Sequence, residues 1–120
     1  MDPRVRGVIV LMTNNLNRNV SLTEMANAVH LSPSHLRQLF KRETGVPIAR
    51  YRRNLRLAEA RKLLRNTYLN VKEVAARVGI AGLSHFVRDF EKAYGITPGR
   101  YAARYRNAPQ SKGLAEKGDR

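Results

Sequence analysis

Ser34, Arg37, Gln38 and Lys41 stand at intervals of three, four and seven residues, the repeat of one helix face. Fifty positions later Ser84, Val87, Arg88 and Glu91 stand at the same intervals. These side chains suit recognition better than catalysis. Arginine pairs with the O6 and N7 edge of guanine and glutamine with the N6 and N7 edge of adenine. Lysine takes a phosphate or a guanine, and valine can touch a thymine methyl. A single polar helix face is usually just solvated. Here the pattern occurs twice, in a chain whose 23 Lys and Arg outweigh 9 Asp and Glu for a formal net charge of +14. Such an excess implies a polyanionic partner, nucleic acid before membrane, because self-repulsion is otherwise only a cost.

The elements that must position these residues repeat as well. Glu24 matches Glu73, Ala26 matches Ala75, Val29 matches Val78 and Leu31 matches Ile80, each 49 positions apart. After one inserted residue Ser34, His35, Phe40, Gly45, Arg50 and Tyr51 match Ser84, His85, Phe90, Gly95, Arg100 and Tyr101 at 50. An internal repeat of one supersecondary unit governs the fold. Each copy is a short helix, a tight turn and a second helix with a polar outer face, so the chain holds two helix-turn-helix units.

Local signals set the remaining elements. Asp2-Pro3 starts a first helix, and Val5, Val8, Ile9, Met12 and Leu16 carry it to about Leu16. Ser21-Leu22-Thr23-Glu24 and Asn70-Val71-Lys72-Glu73 are capping boxes in matching register. Ser32-Pro33 opens the third helix, with Leu36, Leu39 and Phe40 inward, and Gly45 suits a left-handed stop. Pro47 opens a long linker helix to about Arg65, with Ile48, Tyr51, Leu55, Ala58, Leu63 and Leu64 as its buried stripe. The sixth helix, Leu83 to Tyr94, turns Phe86, Phe90 and Ala93 inward, and Thr97-Pro98 opens a short last helix. The fold class is all-α, seven helices in two helix-turn-helix subdomains joined by the linker helix. The first unit is expected over about 21–44, the linker over about 47–65 and the second unit over about 70–94. Residues 1–106 form the domain, and the polar, aperiodic stretch from 107 to 120 reads as a disordered tail.

Phosphate contacts are expected from Arg50, Arg52, Arg53 and Arg100, near the starts of the linker and last helices, where helix N-termini add amide donors. A linker of about 18 residues spans about 27 Å. Successive major grooves on one face of B-DNA lie about 34 Å apart. One chain could therefore read two neighbouring groove segments, and the bound site need not be palindromic. No stretch approaches the roughly 20 apolar residues of a membrane span. The apolar run from Val8 to Met12 is too short for a signal peptide, so a cytoplasmic location is expected. Cysteine is absent, which removes disulfides and thiolate metal sites. His30, His35 and His85 are the only histidines, and no catalytic triad, carboxylate pair or phosphate-cradling glycine loop accompanies them. No enzymatic activity, metal or cofactor is expected.

The chain resembles the DNA-binding domain of the AraC/XylS family of transcriptional regulators. Three motifs carry the resemblance: Leu31 through Gly45, Arg56 through Leu64, and the second-half series Glu73-Val74-Ala75, Val78-Gly79-Ile80, Ser84-His85-Phe86, Arg88, Phe90, Gly95-Ile96-Thr97-Pro98 and Tyr101. Together they cover about residues 5–106. The resemblance implies seven helices and binding to double-stranded promoter DNA, usually to activate transcription, with RNA polymerase as a further partner. It maps base reading onto Ser34, Arg37 and Gln38, and onto Leu83, Ser84, Val87 and Arg88. Four departures bear on function. Ile80 stands where an aromatic often follows the glycine, and His30 stands where glycine is usual. Glu91 replaces a common lysine and Leu83 a common polar reader, so weaker binding by the second unit is expected. Larger members carry a sensing and dimerisation domain ahead of this one. Asp2-Pro3-Arg4-Val5 resembles the join to it, so an excised C-terminal domain, monomeric by itself, is expected rather than a stand-alone small member. The alternatives are a nonspecific basic nucleic-acid binder, which needs charge but no reading face after each turn, and a docking module, which needs no tandem repeat.

Overall fold

The computed structural model describes residues 1–107, and among them the ordered elements are seven helices. They are α1 (Pro3–Thr13), α2 (Leu22–Ala28), α3 (Pro33–Thr44), α4 (Ile48–Asn66), α5 (Val71–Arg77), α6 (Leu83–Tyr94) and α7 (Pro98–Tyr105). They divide into two compact units, Met1–Leu55 and the residues from Arg56 onward, with the division falling inside α4.

In the first unit the Asp2 carboxylate caps α1, accepting the Arg4 N–H at 2.8 Å and the Arg4 guanidinium at 3.0 Å. Those bonds, the guanidinium first, hold the Asp2 carboxyl at about 2. α1 buries Val5, Val8 and Met12 and stops at Thr13, three residues before the apolar spacing expects. The asparagines stop it. The Asn15 side chain donates to the Leu11 carbonyl at 2.8 Å, and its N–H turns to the Met12 carbonyl at 3.1 Å, a local alternative to the helix ladder. Val20, in the following loop, is fully buried although no periodicity marks it. Met25, Ala26, Leu36, Leu39, Phe40 and Ile48 complete this core, with Tyr51 and Leu55 packed against it. Phe40 and Tyr51 meet edge to face at 5.2 Å.

The first capping box forms only by half. The Ser21 hydroxyl accepts the Glu24 N–H at 3.0 Å, but the Glu24 carboxylate is held by Arg18 at 2.8 Å. In the second unit both bonds form, Asn70 Oδ1 accepting from Glu73 N–H at 2.8 Å and Glu73 Oε1 from Asn70 N–H at 2.9 Å.

Both turns close in the same way. The N–H of Leu31 reaches the Ala26 carbonyl and that of His30 reaches Asn27; Ile80 reaches Ala75 and Gly79 reaches Ala76. This pairing needs a left-handed residue just past the helix. Gly79 supplies it at φ 82°, and His30 supplies it at φ 61° against the side-chain clash that L-residues meet there. His30→Gly is therefore expected to raise stability by up to about 1 kcal/mol, the steric relief exceeding glycine's greater chain entropy. A shift of the urea midpoint to higher concentration would show it; an unchanged or lower midpoint would mean that the histidine side chain offsets its own strain.

In the second unit α4 contributes Leu57, Ala60 and Leu64 to a core with Val74, Ala75, Val78, Phe86, Phe90 and Tyr101. Ala58, expected in the stripe, is exposed. The first unit uses Ile48, Tyr51 and Leu55; the second uses Leu57, Ala60 and Leu64, at the same internal spacing. The step from Leu55 to Leu57 is only two residues, so no single 3.6-residue stripe contains both triplets. Ala93, expected inward on α6, is also exposed. The inward series runs Phe86, Phe90, Tyr94 at four-residue steps, and Tyr94 packs on Phe90 at 4.8 Å. Thr97 caps α7, and Arg106 binds back to the Leu64 and Leu69 carbonyls at 2.9 and 2.7 Å. Asn107, placed in the tail by composition, donates its N–H to the Arg65 carbonyl at 2.9 Å. The rest of that expected tail lies outside the described residues.

Candidate nucleic-acid interface

In the first unit Ser32 accepts the His35 N–H at 3.1 Å and starts α3, which Pro33 pre-forms. Burial of Leu36, Leu39 and Phe40 then leaves Ser34, Arg37, Gln38 and Lys41 exposed. Three cations against one carboxylate give α3 a positive balance. Three long donor side chains and a serine hydroxyl thus share one exposed helix face, which is what reading base edges requires.

In the second unit burial of Phe86 and Phe90 exposes Leu83, Ser84, Arg88 and Glu91. Val87, expected to be exposed, is half-buried, so less of it is available to a thymine methyl. α6 carries two cations and two carboxylates, among them Asp89 and Glu91, and so has no net charge. Its start also differs. Gly82 takes the cap position at φ 87° with no side-chain cap bond. Arg88 Nη2 lies 2.7 Å from His85 Nδ1, a contact that sequence reading missed. Its only advance signal is the three-residue spacing of the two side chains on one helix.

Arg50 and Arg53, in the first turns of α4, and Arg100, in the first turn of α7, are exposed. Arg52 differs from them. It is half-buried, and its Nη1 donates to the Val20 carbonyl at 2.6 Å, tying α4 to the loop before α2. That arm is committed to the fold, which leaves Arg52 less free to meet a phosphate. Among the described residues no helix is long and apolar enough to cross a membrane, and no group of three His, Asp or Glu side chains could hold a metal ion.

A family model described as a helix-turn-helix domain matches residues 25–104. The transcriptional activator RhaR of Enterobacter sp. is 35% identical over 101 residues, which is 84% of this chain and 36% of that protein. The chain spans about a third of the length of such curated relatives. An AraC-type transcriptional regulator from Chromobacterium violaceum superimposes with a TM-score of 0.82 at 28% identity, over 88% of this chain and 94% of that one. The DNA-binding domain of AdpA, solved with a target DNA, shares the fold at a TM-score of 0.80 and 22% identity, over 98% of this chain and 100% of that one. With the doubled helix-turn-helix, its matched turns and these likenesses together, the chain belongs to the AraC-type helix-turn-helix DNA-binding domains of the AraC/XylS family.

Proposed function

We propose that this domain binds double-stranded promoter DNA sequence-specifically and regulates transcription, with α3 and α6 as the recognition helices. The observation that carries this is the pair of exposed faces, each presented after a turn closed by the same two hydrogen bonds. A nonspecific binder would need the charge alone. Ser34, Arg37, Gln38 and Lys41 read one box; Leu83, Ser84, Val87 and Arg88 read the other; Arg50, Arg53 and Arg100 hold phosphates, with a lesser share for Arg52. The two boxes are expected in neighbouring major-groove segments of one duplex. Activation is favoured by the activator relative, and RNA polymerase is the further partner in this reading. As this fragment the domain is a monomer in our reading, cytoplasmic and without catalysis or cofactor, and a dimer if a dimerisation domain accompanies it.

Selection of bound duplexes from a random library at near-physiological salt tests this reading. The expected product is an asymmetric motif of two boxes about one helical turn apart. Recovery of one box only would assign α6, with its balanced charge, to the DNA backbone. Tight binding without any enriched motif would replace specific reading with nonspecific binding.

Salt dependence gives a separate check. Neutralisation of three phosphates by Arg50, Arg53 and Arg100 predicts a slope near −2.7 in log K against log salt. Affinity should then fall roughly 40-fold between 50 and 200 mM salt. A slope near −1, measured by fluorescence anisotropy, would remove these arginines from the DNA contact.

A further inference from the structure

Gly82, His85 and Arg88 form one constellation at the start of α6. Gly82 sits at φ 87°, and a Cβ built there would lie 3.1 Å from His85 Cδ2. The missing side chain gives the imidazole room to lie back over the turn. From there its Nδ1 stands 2.7 Å from Arg88 Nη2. A guanidinium has only donors, so the imidazole must accept. The contact uses the tautomer whose proton is on Nε2.

The first unit has no equivalent set. Ser32 stands in the place of Gly82, and its hydroxyl caps α3 through the His35 N–H. Gln38 stands in the place of Arg88, three residues after His35. The second unit has thus exchanged a capping hydroxyl for space beside its histidine. An exposed arginine otherwise samples many rotamers, and a ligand that uses it must order it at binding. Here one end of the guanidinium is tethered before any ligand arrives, and its other nitrogens remain free to donate.

We propose that His85 is a positioning residue that holds the Arg88 guanidinium ready for base reading, with Gly82 making room for its ring. The inference rests on the proposed base-reading role of Arg88. Its contribution is to the selectivity of the second box. Immobilising one such side chain in advance corresponds to about a two- to tenfold gain in that selectivity.

The test uses the whole chain with the selected duplex and its set of single base-pair replacements. The measured quantity is the ratio of affinities between the selected duplex and the replacement at the position where Arg88→Ala has its effect. His85→Leu, which keeps bulk but has no acceptor, is expected to lower that ratio about two- to tenfold. His85→Gln, whose amide oxygen can accept from Arg88, is expected to recover part of it. In an Arg88→Ala background His85→Leu should leave the ratio where Arg88→Ala put it. Thermal unfolding of each variant separates these effects from misfolding, and the exposure of His85 makes the leucine easy to accommodate. If Arg88→Ala moves the ratio at no position, base reading by Arg88 fails and the inference with it. If Arg88→Ala moves the ratio and His85→Leu does not, only the inference fails. An equal loss on every duplex in His85→Leu also overturns it, by making His85 a phosphate donor through Nε2.

Discussion

Phe90→Ala is expected to destabilise the protein by about 3–5 kcal/mol, the range for truncating a fully buried phenylalanine. Phe90 has no exposed surface, and its ring meets Phe86 at 5.8 Å, Tyr94 at 4.8 Å and Tyr101 at 5.8 Å, all in tilted or edge-on geometries. Removing it opens a cavity beside rings of α6 and α7 and abolishes three aromatic pairs. The wall cannot collapse easily, because Phe86 and Tyr94 are fixed to the same helix one turn away on either side. The repeat-equivalent Phe40→Ala is the internal comparison. Phe40 is equally buried but meets one ring, that of Tyr51, at 5.2 Å. Its loss should fall at the lower end of the same range, because each aromatic pair adds about 0.5–1.5 kcal/mol beyond area burial. Urea unfolding of both variants decides the matter. Equal losses would mean that cavity volume outweighs the rings, and an unchanged midpoint for either would contradict the burial of its ring.

Arg88→Ala is expected to cost about 1–3 kcal/mol on the selected duplex and to relax selectivity at one base position. α6 carries as many carboxylates as cations, so it cannot hold DNA by net charge as α3 can. Arg88 is its exposed cation in the reading series, and Glu91, one turn further, opposes phosphates. Much of what α6 contributes must therefore pass through Arg88. Anisotropy titrations against the selected duplex and its base-pair replacements would show the loss concentrated at one replacement. A uniform loss across all duplexes would make Arg88 a phosphate contact instead. The companion substitution Glu91→Lys should raise affinity for every duplex alike, since it alters charge and not reading.

By itself the sequence determined the features that depend on a few neighbouring residues. The repeat at 49 and 50 positions, the seven helices, the caps at Ser21, Ser32, Asn70 and Thr97, and the left-handed stops at Gly45 and Gly95 all follow from local rules. So does the outward direction of Ser34, Arg37, Gln38 and Lys41, because the burial of Leu36, Leu39 and Phe40 fixes the opposite face. The tertiary structure decided what a shared periodicity cannot express. α4 serves two cores whose stripes are out of step by two residues, so Ala58 is exposed while Leu57 and Ala60 are buried. Val20 is buried from a loop that has no period, and Tyr94 displaces Ala93 because only it reaches the ring of Phe90. Long polar arms were the other silent part. Arg52 is drawn to the Val20 carbonyl, Glu24 to Arg18 and Arg88 to His85. Their Cα positions follow from helix geometry, but the choice of partner at the end of a flexible side chain depends on which acceptors the fold brings within about 3 Å.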